Sequence, residues 1–435
     1  MKDLKKFPFP IKELGIKSLL PDQYMLAFFK KFCLAIESRT RSFRKKKNAR
    51  HGAKDFLKVF FFSEMSGKSI HEASEMLNEY FQSHEKGRKK IFKDGRRRRA
   101  IPHQTDVNRF LRKIGLRKAR NILRECLDYQ LLEAFRLGLI SRKVNVLIDF
   151  TEHPYHGKRD DNMIKGTTRQ KGTRKMRHYL SFSVLSRDVH LHAGLEHVAR
   201  GKSKIPVIID FLDHLLDLGF ELNYVLMDRE FYRVELLDEI KGMGGNVLIP
   251  AKGYKKIKEI LKDYLDGRRG RIRQYKFSSA PGKKHRFFQN VYLIIKAKRG
   301  FTLREIKSSY SAGTLTLKEA MARLFVIMTT ERPKKGSGSW ASRTARFYKK
   351  RWTIETSFSD INRINHRWRS NHDNVRYLDM LARLLLYNSW KMDKKLLEIS
   401  ARKSKKSVRL TLSQNQGYLV ASFLSMEKKS RVVVR

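Results

Sequence analysis

The sequence predicts a mixed α/β core, a sheet flanked by helices, preceded by an all-α segment and interrupted late by a β-rich insertion. Three observations predict it. Residues 1–140 carry apolar side chains at helical spacing. Residues 141–250 alternate short β-rich runs with helical stretches, as expected for helices packed on a mixed sheet. Residues 251–334 return to extended runs separated by basic, glycine-containing turns.

The elements follow in order. "PDQYMLAFFKKFCLAI" and "AKDFLKVFFFSEM" have the spacing of helices. "GKSIHEASEMLNEYF" and "TDVNRFLRKIG" form two shorter amphipathic helices, the second capped by Thr105 or Asp106. Between them runs a basic connector that contains Arg96, Arg97, Arg98 and Arg99. Short helices beside a basic loop suit a helix-turn-helix-like DNA reader around 67–116. The alternative is a plain helical bundle with a solvated charged face. "KVNVLIDF" begins the sheet, and "MRHYLSFSVLS" with "VHLHAGLEHV" forms a hairpin turning at Arg187 and Asp188. Then come the helix "KIPVIIDFLDHLLDLGF", the strand "NYVLMDREF", the helix "VELLDEIKGMG" and the strand "NVLIPA". The insertion contributes "RIRQYKFSS", "FFQNVYLIIKAK" and the strand that ends "LKEAMARLFVIMTT". "KGSGSW" at 335–340 reads as a flexible linker, followed by one long helix, "RTARFYKKRWTIETSFSDINRIN", and a second, "RYLDMLARLLLYNSWKM". The expected units are therefore 1–140, 141–250, 251–334, 335–400 and a basic tail, 401–435.

Charge narrows the function. Among 435 residues, 96 Lys+Arg face 43 Asp+Glu, a net +53. Such a field repels itself unless a polyanion offsets it, and nucleic acid is the expected partner. An anionic membrane surface is the weaker reading, and no apolar run reaches the length of a membrane span. Cys33 and Cys126 cannot build a disulfide framework or a cysteine-based zinc site. With no signal peptide in the opening residues, the expected location is cytoplasmic, with the nucleoid.

Two strands carry carboxylates where a protein interior disfavours them: Asp149 in "VNVLIDF" and Asp228 in "YVLMDREF". A buried charge is costly unless it is paired or bound to a cation. The carboxyl ends of strands are where α/β proteins place ligands, and carboxylate oxygens suit Mg²⁺. Either aspartate alone reads as a cap or a surface ion pair. A third carboxylate, Glu355, falls on one helix face with Tyr348 and Arg351 if the late helix is regular. That face is either a phosphate-and-metal surface or a solvated Arg351–Glu355 pair. The basic segment at 165–177, with Lys165, Arg169, Lys171 and Arg174, is expected to track backbone phosphates. His153 and His156 read as loop histidines, Glu152 and Glu230 as substitutes should a triad member be misassigned, and Trp340 as a core contact.

Together these stretches resemble the DDE transposases of insertion sequences. The closest likeness is to the insertion sequence 4 group, with its Tyr-x2-Arg-x3-Glu-x6-Lys signature. Tyr348, Arg351 and Glu355 match that signature, while Asn362 stands at the lysine position and Arg363 follows. The resemblance covers roughly 140–395. It implies a ribonuclease H-like core in which Asp149, Asp228 and Glu355 bind two Mg²⁺ ions, with Mn²⁺ able to substitute. It also implies DNA contacts from Tyr348, Arg351, Asn362 and Arg363, and cleavage and strand transfer at the ends of the protein's own element. Synapsis of two such ends suggests a homodimer. The competing readings are a ribonuclease H-like nuclease or resolvase without strand transfer, and a non-enzymatic DNA-binding derivative. The presence of all three carboxylates argues against the latter.

Overall fold

The computed structural model describes residues 51–84, 101–158, 164–170, 172–279, 287–333, 337–363, 370 and 372–403, with a few isolated positions beyond. The first expected helix, the arginines at 96–99, Lys171 and most of the basic tail lie outside the described residues.

Four helices lead into the sheet: α1 (Ala53–Ser66), α2 (Ile70–His84), α3 (Gln104–Lys113) and α4 (Leu116–Arg136). The sequence places a capping residue at each of the first three. Asp55 accepts the Gly52 N–H at the start of α1, and Gly67 ends that helix with φ +65°, where a residue without Cβ is least strained. Ser69 and Glu72 cap α2 reciprocally, each side chain accepting the other's backbone N–H. The cap of α3 is His103, whose Nδ1 accepts the Thr105 N–H, and not the expected Thr105 or Asp106. Those two already lie in the first turn, where Asp106 pairs with Arg109.

The strands are β1 (Lys143–Pro154), β2 (Ile164–Gln170), β3 (Thr173–Ser186), β4 (Val189–His197), β5 (Glu221–Met227), β6 (Asn246–Pro250), β7 (Ile272–Ser278), β8 (Phe288–Ala297) and β9 (Leu324–Thr329). They form one nine-stranded mixed sheet in the order β2-β3-β1-β5-β6-β9-β8-β7, with β4 on β3. The hairpin between β3 and β4 turns at Arg187 and Asp188, both at positive φ, as a two-residue turn matched to strand twist requires. β5 and β6 run parallel to β1 through the crossover helices α5 (Ile205–Asp217) and α6 (Val234–Gly242). This is the expected mixed sheet with flanking helices.

The stretch at 251–334 continues that sheet: β9 pairs antiparallel with β6, β8 with β9, and β7 with β8. It also carries α7 (Lys255–Leu265), α8 (Leu303–Ser311) and α9 (Leu317–Ala322), of which the expected strands give no hint for α7 and α8. Thr302 with Glu305, and Thr316 with Glu319, form capping boxes on the last two.

The late chain corrects two expectations. Ser337–Trp340, read as the end of a flexible linker, opens α10 (Ser337–Tyr348). Trp340 is buried there, and its Nε1–H donates to Glu331 at 2.9 Å, which ties α10 to the residues just after β9. The expected single long helix is broken by a 3₁₀ turn, Lys349–Arg351, before α11 (Trp352–Arg363). The last helix, α12 (Asp373–Lys403), is buried from Asn374 to Trp390. It packs between α1, α4 and β4. Asn388 joins these layers: its amide donates to Gln130 on α4 and to the His192 carbonyl, and it accepts the His192 N–H. Helices α1–α4 share one apolar cluster with α10–α12 and with Leu147, Leu226 and Leu248 of the sheet. On the opposite face Val146, Ile148, Val225 and Met227 pack with α5, α6 and α7. Among the described residues no helix is long and apolar enough to cross a membrane.

Candidate active site

Register brings the two aspartates together. β1 and β5 run parallel with Ile148 opposite Met227, the last pair of their ladder. Asp149 and Asp228 are the next residue on each strand. β1 does not end there, contrary to expectation, but continues to Pro154 paired with β3 alone. Asp149 therefore stands where β5 parts from β1. Side chains alternate along a strand, so Asp149 shares the face of Leu147, the face covered by α10–α12. Asp228 follows β5 in phase with Leu226 and leads into a 3₁₀ turn, Arg229–Phe231. On the other face Phe150 and Phe231 stack with centroids 5.3 Å apart and lock the two aspartate-bearing segments together.

The 3₁₀ turn supplies the rest. Side chains three apart eclipse in a 3₁₀ helix, so Tyr348 and Arg351 both face the strand ends. Tyr348 Oη donates to the Met227 carbonyl at 3.2 Å and ties α10 to the end of β5. Arg351 Nη1 donates to Asp149 Oδ2 at 2.5 Å, and its Nη2 donates to Glu355 Oε1 at 2.7 Å. The Arg351–Glu355 pair weighed from sequence is present, but as half of a bridge across the site. Arg351 is 8% exposed, Asp149 15% and Glu355 55%.

The electrostatics reflect this convergence. Burial pushes the Asp149 carboxyl up to about 6, against the pull of Arg351 and the Phe150 N–H, and the negative charges of Asp228 and Glu355 add to the rise. Burial works against the Arg351 charge, yet Tyr348, Asp149 and Glu355 outweigh it and hold the guanidinium above its ordinary value. Tyr348 is held well above the ordinary phenol range, by burial first. Arg351 stands between Asp149 and Glu355, and Asp149, Asp228 and Glu355 do not form a group with ligand atoms all within 4.8 Å; the set offers oxygen donors to a hard cation and a guanidinium to a phosphate.

Other expected residues divide clearly. Asn362 is exposed in the last turn of α11, seven residues past Glu355; Arg363 closes that helix, its side chain outside the description. Lys165 and Arg174 are exposed on the β2–β3 hairpin, which also carries Arg169 and extends past the Asp149 end of the sheet. Glu152 pairs with His178 and Glu230 with Lys204, so both are engaged outside the triad. His153 is no loop residue: it lies in β1 and meets Arg376 Nη1 at 2.9 Å. His156 is exposed just past that strand. Sequence reasoning passed over Trp352, which opens α11 with its indole 65% exposed, one turn before Glu355. A tryptophan between an arginine and a glutamate in so basic a chain is the signal that marks it.

A model of the Transposase DDE domain matches residues 141–389, and the chain belongs to that family. It is thus a transposase by family, an enzyme of the polynucleotidyl transferase and endonuclease kind. No curated protein matches the sequence. Among solved structures, the piggyBac transposase synaptic complex with hairpin DNA covers 94% of this chain and 81% of its own, at 10% identity and TM-score 0.48. The Drosophila P element transposase strand transfer complex covers 94% and 86%, at 7% identity and TM-score 0.26. Both likenesses are remote, and family membership rests on the matched domain.

Proposed function

We propose that this protein is an insertion-sequence transposase of the insertion sequence 4 kind. It binds the ends of its own element, cuts there, and joins the cut end to target DNA. The observation that supports this reading best is the parallel register that sets Asp149 beside Asp228, with Arg351 linking Asp149 to Glu355. The all-oxygen donor set of Asp149, Asp228 and Glu355 fits Mg²⁺, with Mn²⁺ as substitute. Burial first, and the charges of Asp228 and Glu355 after it, raise the Asp149 carboxyl, and a bound divalent cation would favour its ionised form. Two such ions, when bound, activate the attacking oxygen and stabilise the leaving oxygen of an in-line displacement at phosphorus.

The chain's own residues do the rest. Arg351, a counter-ion in the free protein, lies where a scissile phosphate meets the carboxylates and can fork onto it. Tyr348 holds the strand end. Asn362 donates its amide to the DNA backbone, and Arg363 extends the contact. Lys165, Arg169, Lys171, Arg174 and the run Arg96, Arg97, Arg98 and Arg99 track phosphates along the duplex. The exposed Trp352 offers a stacking face for an unpaired base. The N-terminal helices read the element ends, and two copies pair those ends as a homodimer in the nucleoid. Incubating the protein with its gene's flanking DNA and Mg²⁺ tests the reading. End cleavage and joining are expected, and Asp149→Asn, Asp228→Asn and Glu355→Gln should each abolish both while DNA binding persists. Full activity in excess EDTA, or near-normal cleavage by any of the three variants, would overturn it.

A further inference from the structure

A second cluster of ligand-type side chains lies far from the carboxylate triad along the chain, among the N-terminal helices. His71 and Glu75 are one turn apart on α2, so they share a face. His103, the cap of α3, meets them: one ligand atom from each residue lies within 4.8 Å of the others. The three are the only such group of histidine, cysteine, aspartate or glutamate among the described residues. The convergence is built. Ser74 Oγ donates to the Pro102 carbonyl at 2.7 Å in a buried contact, which docks the residue before His103 against the residue before Glu75. Ile101 beside it is buried. The two imidazoles stand edge to face, centroids 6.3 Å apart. Glu72, the neighbouring carboxylate, is held by the α2 cap and stays out of the group.

The geometry points to a transition-metal site, with Zn²⁺ as the ion, in which His71, Glu75 and His103 clamp α2 to the start of α3. Two imidazoles and one carboxylate suit Zn²⁺ rather than Mg²⁺, which wants oxygen throughout. Zinc–ligand bonds of about 2.0–2.1 Å put tetrahedral ligand atoms roughly 3.4 Å apart, so the side chains draw in by about 1.4 Å at most. His103 has its orienting partner in place: Nδ1 lies 3.1 Å from Thr105 Oγ1. Metal binding through Nε2 requires the tautomer with the proton on Nδ1, which gives up the Thr105 N–H and donates to Thr105 Oγ1 instead, the usual outer-shell arrangement for a zinc-bound histidine. Three protein ligands leave a fourth position for water.

The full-length protein carrying Asp149→Asn, Asp228→Asn and Glu355→Gln isolates the site from the triad. Zn²⁺ titration by calorimetry and Co²⁺ visible absorption are the readouts. One equivalent of tight uptake is expected, with the d–d bands of a four- or five-coordinate ion and a rise in Tm on adding zinc. Adding His103→Asn keeps a good helix cap, because asparagine caps as well as any residue. It should leave the metal-free Tm unchanged yet abolish the tight uptake and the zinc-dependent rise, and Glu75→Gln should do the same. Thr105→Val should weaken uptake by about 10–100-fold. Absence of tight uptake overturns the proposal, and so does uptake that survives both His103→Asn and Glu75→Gln.

Discussion

Arg351 is the counter-ion of Asp149 and Glu355, and Arg351→Gln removes it. The Glu355 half of the bridge is worth at most ~1 kcal/mol, because Glu355 is 55% exposed. The Asp149 half is different, since breaking a buried pair by removing one partner costs roughly 3–5 kcal/mol. Asp149 has an escape: its carboxyl already titrates at about 6. Lifting it past neutrality takes one to two further units at about 1.4 kcal/mol each, so protonation caps the loss near 1.5–3 kcal/mol. The folded value lies above the unfolded one, so Asp149 lowers stability as pH rises from about 4 through about 6 in the parent protein. In the variant that loss continues to higher pH. Denaturant unfolding of both proteins in EDTA, at about pH 6 and about pH 8, measures it. The gap should be wider at the higher pH and should shrink when Mg²⁺ is added, because a cation bound only by the native carboxylates stabilises by mass action. A gap that is absent, or that ignores both pH and Mg²⁺, refutes the counter-ion role.

Three further outcomes are expected. In single-turnover cleavage, Arg351→Ala should be slowed far more than Arg363→Ala, and Asn362→Lys should be tolerated or mildly faster; a crippled Arg363→Ala would place the phosphate contact elsewhere on α11. DNA affinity should fall steeply with salt, as counterion release from many phosphate contacts demands of a chain with net charge +53, and a shallow slope of log Kd against log salt would contradict it. His190 and His192 are buried residues of β4, and burial holds His190 down to about 3 and His192 well below its ordinary value. Their folded values lie below the unfolded one, so stability is full above about pH 6.5 and is lost as pH falls, by about 1.4 kcal/mol per pH unit for each. His190→Asn should flatten the acid limb of stability against pH by one proton, and an unchanged slope would show that His190 takes its proton in the native state.

Period and composition carried much of this protein. The apolar runs of "VNVLIDF" and "YVLMDREF" marked both aspartates as lying near strand ends, and the cost of a charge in an interior marked them as candidate site residues. The Arg187–Asp188 turn, the crossover helices and the nucleic-acid partner were equally legible, because each depends on local propensity or net charge. Other features depend on pairings between segments distant in the chain, which local spacing does not encode. Only the parallel register of Ile148 with Met227 sets Asp149 beside Asp228, residues far apart in the chain. A 3₁₀ break before Trp352 stands where a regular helix was expected, and only the packing of this turn on the sheet brings Tyr348 and Arg351 to those strand ends. The insertion read as strands between turns became the continuation of one sheet because β9 found the open edge of β6. His71, Glu75 and His103 were three unremarked residues in sequence, and become a cluster because Ser74 docks on Pro102 across an intervening connector. Sequence fixes which chemistry a residue can offer; the packing of β1, β5 and α10–α11 decides which of those residues meet.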